Sequence, residues 1–275
     1  MWKDESERWI LNSKHVLPTS TICGPSTRST AQQGPPTPRQ PDFEPSPTST
    51  PASNLTSTIS SVANLMQQAA HAMSQLGSPA KSHEDLGTTG DAELSVAFYK
   101  HLVQEPECQE ESEERKVHLL GFDLDEILIQ RAQQNNPLPG SISFITLDVT
   151  KDTDRLQHYL DQHGCSHFHL CLCLAVTMWV HLNHGDASLL QLLSRLASVS
   201  QHLLLEAQPW KCYRSAARRL RKLGRSDFDH FKTLKIRGDV AEQAREHLEG
   251  HCGMELIRSF GSTTWDRKLL LFKRR

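Results

Sequence analysis

Several things are missing from this chain, and each absence removes a class of protein. No C-x-x-C pair occurs among its seven cysteines, an odd number, which argues against a zinc ribbon or a disulfide framework and for reduced thiols. No apolar run approaches the roughly 20 residues needed to cross a bilayer. The opening "MWKDESERWI" carries acids where an export leader needs a basic patch and an apolar stretch, so a cytoplasmic protein without membrane contact is expected. Net charge is only −2, so any polyanion partner must be recognised by local charge.

Proline is plentiful but unevenly spread. Ten of the 14 prolines precede residue 80, within tracts such as "PPTPRQPDFEPSPTSTP". Such composition cannot bury enough apolar surface to offset its ordering entropy. Residues 1–83 are therefore expected to be a disordered tail, with a short helix over 60–76. Residues 84–275 form the folded domain.

In that domain short apolar runs alternate with helix-compatible segments. "VHLLGFD", "ISFITLD", "FHLCLCLA" and "HLLLE" read as strands. Helices are expected over 92–104, 125–134, 152–163, 186–200 and 211–223. Near-continuous apolar strands separated by helices imply a parallel sheet covered on both faces. The runs 254–260 and 268–273 are joined by a short loop and predict an antiparallel hairpin at the sheet edge. The expected fold class is α/β, Rossmann-like; a mostly parallel sheet closed by an antiparallel hairpin suits a class I methyltransferase better than a dehydrogenase. Cys171 and Cys173 read as structural thiols in an apolar run, not facing the same way.

Ligands of open α/β sheets sit at the carboxyl ends of the strands. Asp123 and Asp148, the latter beside Val149, end two successive strands there. They suit a cofactor's ribose hydroxyls and adenine, although acids at strand ends also cap helices. Asp85-x-Gly87-x-x-Gly90 falls where a first cofactor loop belongs. No apolar run precedes it, so the first strand of the sheet is expected to be missing or altered.

The stretch "QPWKCYRSAARRLRKLGR" holds seven basic residues and no acid. At about 100° per residue, Arg214, Arg218, Arg221 and Arg225 share an arc of about 60°, opposite Tyr213, Ala216, Ala217 and Leu220. Arginine forks suit phosphate oxygens; the alternative is a solvated basic face. His181 and His184 stand three apart without a third metal ligand, so no metal is expected. Trp179, Trp210 and Tyr213 could stack on a base or pack in the core.

Together "LSVAFYKHL", "FITLD", "TMWVHLNHGD", "QPWKCYRSAARRLRKLG", "IRGD" and "GMELIRSFGSTTWDRKLLLF" closely resemble the bicoid-interacting family of RNA 5′-terminal phosphate methyltransferases. Over roughly residues 87–273 the likeness is to the RNA 5′-monophosphate branch. The resemblance implies S-adenosylmethionine as donor and an RNA 5′-monophosphate as acceptor, histidine transfer RNA or precursor microRNA, acted on by a monomer. It implies donor contacts at Thr88, Gly90, Asp123, Asp148, Val149 and Leu174, with Asp85 and Gly87 in the same loop. The basic side chains Lys211, Arg214, Arg218 and Arg221, with Trp210, would hold the RNA end, and His181 would orient a phosphate oxygen. The loop's glycines stand one residue closer than in the family pattern, which leaves a second reading: an RNA 5′-end binding protein without catalysis. A third keeps the enzyme and assigns a 5′-triphosphate end.

Overall fold

A computed structural model describes residues 19–23, 92–104, 117–152, 154–262 and 266–275. The loop residues Asp85, Gly87, Thr88 and Gly90 lie outside these, as does the expected helix over 60–76. In chain order the elements are β1 (Thr19–Cys23), α1 (Glu93–Gln104), β2 (His118–Asp123), α2 (Glu126–Gln134), β3 (Ile142–Thr146), α3 (Asp154–Gln162) and β4 (Phe168–Cys173). They continue with α4 (Thr177–Val199), β5 (Ser200–Ala207), α5 (Trp210–Lys222), α6 (Val240–His251), β6 (Met254–Ser262) and β7 (Lys268–Arg274).

All seven strands form one sheet in the order β3-β2-β1-β4-β5-β7-β6. The pairs β2–β3 and β4–β5 are parallel, as alternating strand and helix require. β6 and β7 form the expected hairpin, and β7 runs antiparallel to β5. Strands β2, β4 and β5 are buried on both faces, with Leu119, Leu120, Cys171, Leu203, Leu204 and Leu205 fully enclosed. Helices on one side seal a core around Phe168, Leu193, Tyr213 and Phe272; Phe98, Ile129 and Phe144 help close the other. At Gly121 the sheet admits no side chain, because a Cβ there would lie 2.6 Å from the Phe144 ring on β3.

Three expectations change. The slot between β2 and β4 is not empty: Thr19–Cys23, from the segment expected to be a disordered tail, enters it antiparallel to both neighbours. The first strand is therefore altered rather than absent. Open strand edges in the middle of a sheet would leave a row of unpaired backbone groups, a penalty that even a polar strand removes. Second, Cys171 and Cys173 are both fully buried in the same core, since side chains two apart on a strand share a face. Their structural role stands; burial pushes the Cys173 thiol up to about 12. Third, Cys165 is disulfide-bonded, whereas Cys171, Cys173, Cys212 and Cys252 are free thiols.

The helix expected over 186–200 starts earlier, at Thr177, and breaks at Gly185 with φ 82°. A side chain at Gly185 would be strained at that angle and would meet the His230 ring at 3.2 Å. Helix α6 was not foreseen; its apolar positions Val240, Ala241, Ala244 and Leu248 pack into the core beneath an otherwise charged surface. No helix among the described residues is long and apolar enough to cross a membrane.

Candidate donor and acceptor site

Parallel strands bring their carboxyl ends to one edge, and four of those ends carry the predicted site. Asp123 terminates β2, its Oδ1 accepting the Asp125 amide at 2.9 Å. Burial, opposed by backbone donors at Asp125 and Leu124, raises its carboxyl to about 6. The Leu147 amide donates to the Asp123 carbonyl at 2.9 Å and ties the next strand end to the first.

Asp148 opens the turn beyond β3. Its Oδ1 accepts the Thr150 amide at 3.0 Å, and Oδ2 pairs with Lys151 at 2.8 Å. Burial would raise this carboxyl, but the hydrogen bonds from Lys151 and Thr150 outweigh it and hold the group below its usual range. Asp148 thus shapes its turn, while Arg195 on α4 donates to the Val149 carbonyl. Nothing in the sequence pattern marked Arg195, which lies 46 residues away.

Leu174 is buried beyond β4, and Ala175 follows in the left-handed region at φ 56°. A non-glycine residue held there stores strain, a common feature beside ligand sites. The buried Gln208 side chain stabilises the turn by donating to the Ala175 carbonyl at 3.0 Å. Its Oε1 accepts the Thr177 hydroxyl and the Met178 amide, each at 3.0 Å. One amide thereby staples the end of β4 to the end of β5.

His181 does not face a phosphate. It is fully buried on α4, with Nδ1 3.1 Å from the Tyr213 hydroxyl and Nε2 2.8 Å from Asp186 Oδ1. Asp186 also accepts the Lys235 and Ile236 amides at 2.9 Å. Since Asp186 can only accept, the histidine donates from Nε2 and the tyrosine donates to Nδ1. Burial, only partly countered by Asp186, lowers the His181 pKa and keeps the ring neutral. It positions α4 against α5 and the 235–236 segment.

Base stacking fares similarly. Tyr213 is fully buried, and Trp210 already stacks on Tyr213 at 4.9 Å and on Phe231 at 5.7 Å, with the Arg237 guanidinium 5.5 Å from its ring. Trp179 meets Phe228 edge-on at 6.1 Å. These aromatic groups form a wall built by the protein for itself, into which the 228–237 segment is sewn by Arg237 donating to the Leu234 and Lys232 carbonyls at 2.7 Å. The metal expectation concerned His181 and His184; among the described residues no cluster of metal-ligating side chains occurs.

The basic side chains do lie on the exposed face of α5, which begins three residues after the carboxyl end of β5. Lys211 Nζ pairs with Asp266 at 3.0 Å and Arg221 Nε with Asp227 at 3.1 Å. Arg214 and Arg218 are exposed between them.

The fold and the strand-end acids define an α/β protein of Rossmann-like type, with Asp123 and Asp148 at the carboxyl edge of its parallel strands. Residues 168–274 match the family model described as Bicoid-interacting protein 3 (Bin3). The chain is 66% identical over 194 residues to a zebrafish (Danio rerio) pre-miRNA 5′-monophosphate methyltransferase, covering 69% of this chain and 76% of that one. It is 50% identical over 196 residues to a bovine (Bos taurus) RNA 5′-monophosphate methyltransferase, covering 69% of this chain and 66% of that one. Among solved structures, the magnesium protoporphyrin IX methyltransferase of Synechocystis with bound SAH aligns over 57% of this chain and 64% of its own, at 18% identity and a TM-score of 0.36. The chain belongs to the Bin3 family.

Proposed function

We propose that this protein transfers a methyl group from S-adenosylmethionine to the 5′-monophosphate of an RNA. The observation that carries this reading is the pairing of Asp123 and Asp148 at neighbouring strand ends, joined through the Leu147 amide, in a chain of this family. The donor set fits the cofactor chemically. The half-buried Asp123 carboxylate can accept ribose hydroxyls, the Val149 carbonyl is held by Arg195, and the β4–α4 turn is stapled by Gln208. When bound there, S-adenosylmethionine supplies an electrophilic sulfonium methyl.

A terminal phosphate has a second pKa of about 6 and is anionic at neutral pH. It needs no general base from the protein. The protein's work is to hold the two partners in line and exclude water. Lys211 and Arg214, nearest the start of α5, are the side chains assigned to the terminal phosphate. Trp210 and the neutral His181–Tyr213 pair keep that helix start in place.

Histidine transfer RNA and precursor microRNA are the acceptors this reading names, for a monomeric protein in the cytoplasm. Radiolabelled donor offered with one RNA in 5′-hydroxyl, 5′-monophosphate and 5′-triphosphate forms should label only the monophosphate form. Label on the triphosphate form alone would move the acceptor. Binding of RNA without any label would favour an end-binding protein instead.

A further inference from the structure

Helix α5 carries more cation than a single phosphate can use, and the geometry shows where the surplus goes. Tyr213, Ala216, Ala217 and Leu220 are buried, so the helix cannot roll and its outer face is set. From Lys211 to Arg221 is ten residues, about 15 Å at 1.5 Å per residue. Charge-assisted hydrogen bonds reach only about 2.7–2.9 Å, so cations spread along this length cannot converge on one terminal phosphate. A nucleic-acid strand offers a charge about every 3.4 Å of duplex axis, and such a row is about four phosphates long.

The two ends of the row are already engaged by the protein's own carboxylates. Asp266, in the turn before β7, takes Lys211; Asp227, in the segment after α5, takes Arg221. The two acids differ in setting: the Asp266 side chain is exposed, that of Asp227 half-buried. Asp266 sits at φ 59° and Asp227 adjoins Phe228, which packs on Trp179. A carboxylate offers the same charge sign and acceptor oxygens as a phosphate, so Asp266 marks the place of the terminal phosphate and Asp227 that of a backbone phosphate further along the helix. Between them Arg214 and Arg218 face solvent.

We propose that the outer face of α5 is a track for the phosphate backbone of the RNA body, with Asp227 and Asp266 occupying its ends until RNA displaces them. This rests on the RNA reading above and extends it: Arg218 and Arg221 grip phosphates inward of the methylated end, while only the N-terminal end of the helix meets the 5′-phosphate. The intramolecular carboxylates lower the affinity for any polyanion that cannot fill the whole row.

The test measures binding of one RNA in 5′-hydroxyl and 5′-monophosphate forms over a series of potassium chloride concentrations. Arg218→Ala, an exposed change to the best helix former, should weaken both forms by the same factor, about 3- to 10-fold. It should also reduce the magnitude of the log–log salt slope by about 0.7–0.9. Asp227→Asn should tighten both forms by about 3-fold, whereas Asp266→Asn, which frees Lys211, should tighten chiefly the monophosphate form by a similar factor. The track is overturned if Arg218→Ala weakens only the monophosphate form, or if neither acid variant changes affinity. Wild-type protein that binds neither form overturns the RNA reading itself.

Discussion

Asp123 shows how a site residue opposes the fold that carries it. Burial raises its carboxyl to about 6, so the folded protein holds this proton more tightly than the unfolded chain does. The stabilising contribution is fully present below the unfolded value and is lost as pH rises through about 6. Asp123→Asn should therefore be more stable than wild type at pH 8, by up to about 3 kcal/mol, and nearly equal to it near pH 4. Urea titrations at the two pH values measure this. The same variant should bind S-adenosylmethionine weakly at every pH, whereas wild-type affinity should fall as pH drops through 6. Calorimetry that found full donor affinity in Asp123→Asn would remove the residue from the site. His181 gives a different lesson at this scale. Its type and position invited a phosphate-facing role, yet both ring nitrogens are spent inside the core. Tyr213→Phe should cost about 1–3 kcal/mol, because it leaves the buried Nδ1 without a donor; an unchanged urea midpoint would deny that bond.

The elements were largely readable, because each combines a periodicity with a clear stop. Apolar runs ending in Asp123 and Asp148 became strands and turns within two residues of expectation. Helix α5 was legible from its one-sided charge. Two elements were misjudged for physical reasons. Residues 177–184, the first turns of α4, lay outside the helix expected over 186–200; Gly185 interrupts the pattern, yet the chain is helical on both sides of the break. Helix α6 has only four buried positions within a charged sequence, and tertiary packing rather than amphipathic contrast defines it. The staple between the ends of β4 and β5 also belongs to this scale. Gln208→Leu would leave the Ala175 carbonyl, the Thr177 hydroxyl and the Met178 amide without their partner. A loss of about 2–5 kcal/mol in unfolding free energy is expected, with weakened donor binding. A variant as stable as wild type would show that the turn needs no staple.

Across the whole molecule, the unexpected feature is the filling of the sheet's central slot by a short polar strand from far upstream. Thr21 pairs with Leu120 on one side and Cys171 on the other. Proline there removes a donor from a central ladder and fits poorly between two neighbours. Thr21→Pro should lower the melting temperature and unfold the protein by about 3 kcal/mol or more. If stability is unaffected, residues 19–23 do not hold the two halves of the sheet together. Composition and periodicity alone were enough to establish an α/β domain, its helix and strand types, the acids at the strand ends and a cationic helix face, since all of these are local properties of the chain. Three features depended on the tertiary structure: which segment closed the sheet, which of the polar side chains were consumed in holding turns, and which cations were met by the protein's own acids. Hydrogen-bond partners separated by 30 to 50 residues leave no periodic trace; they exist only once the backbone has brought them together.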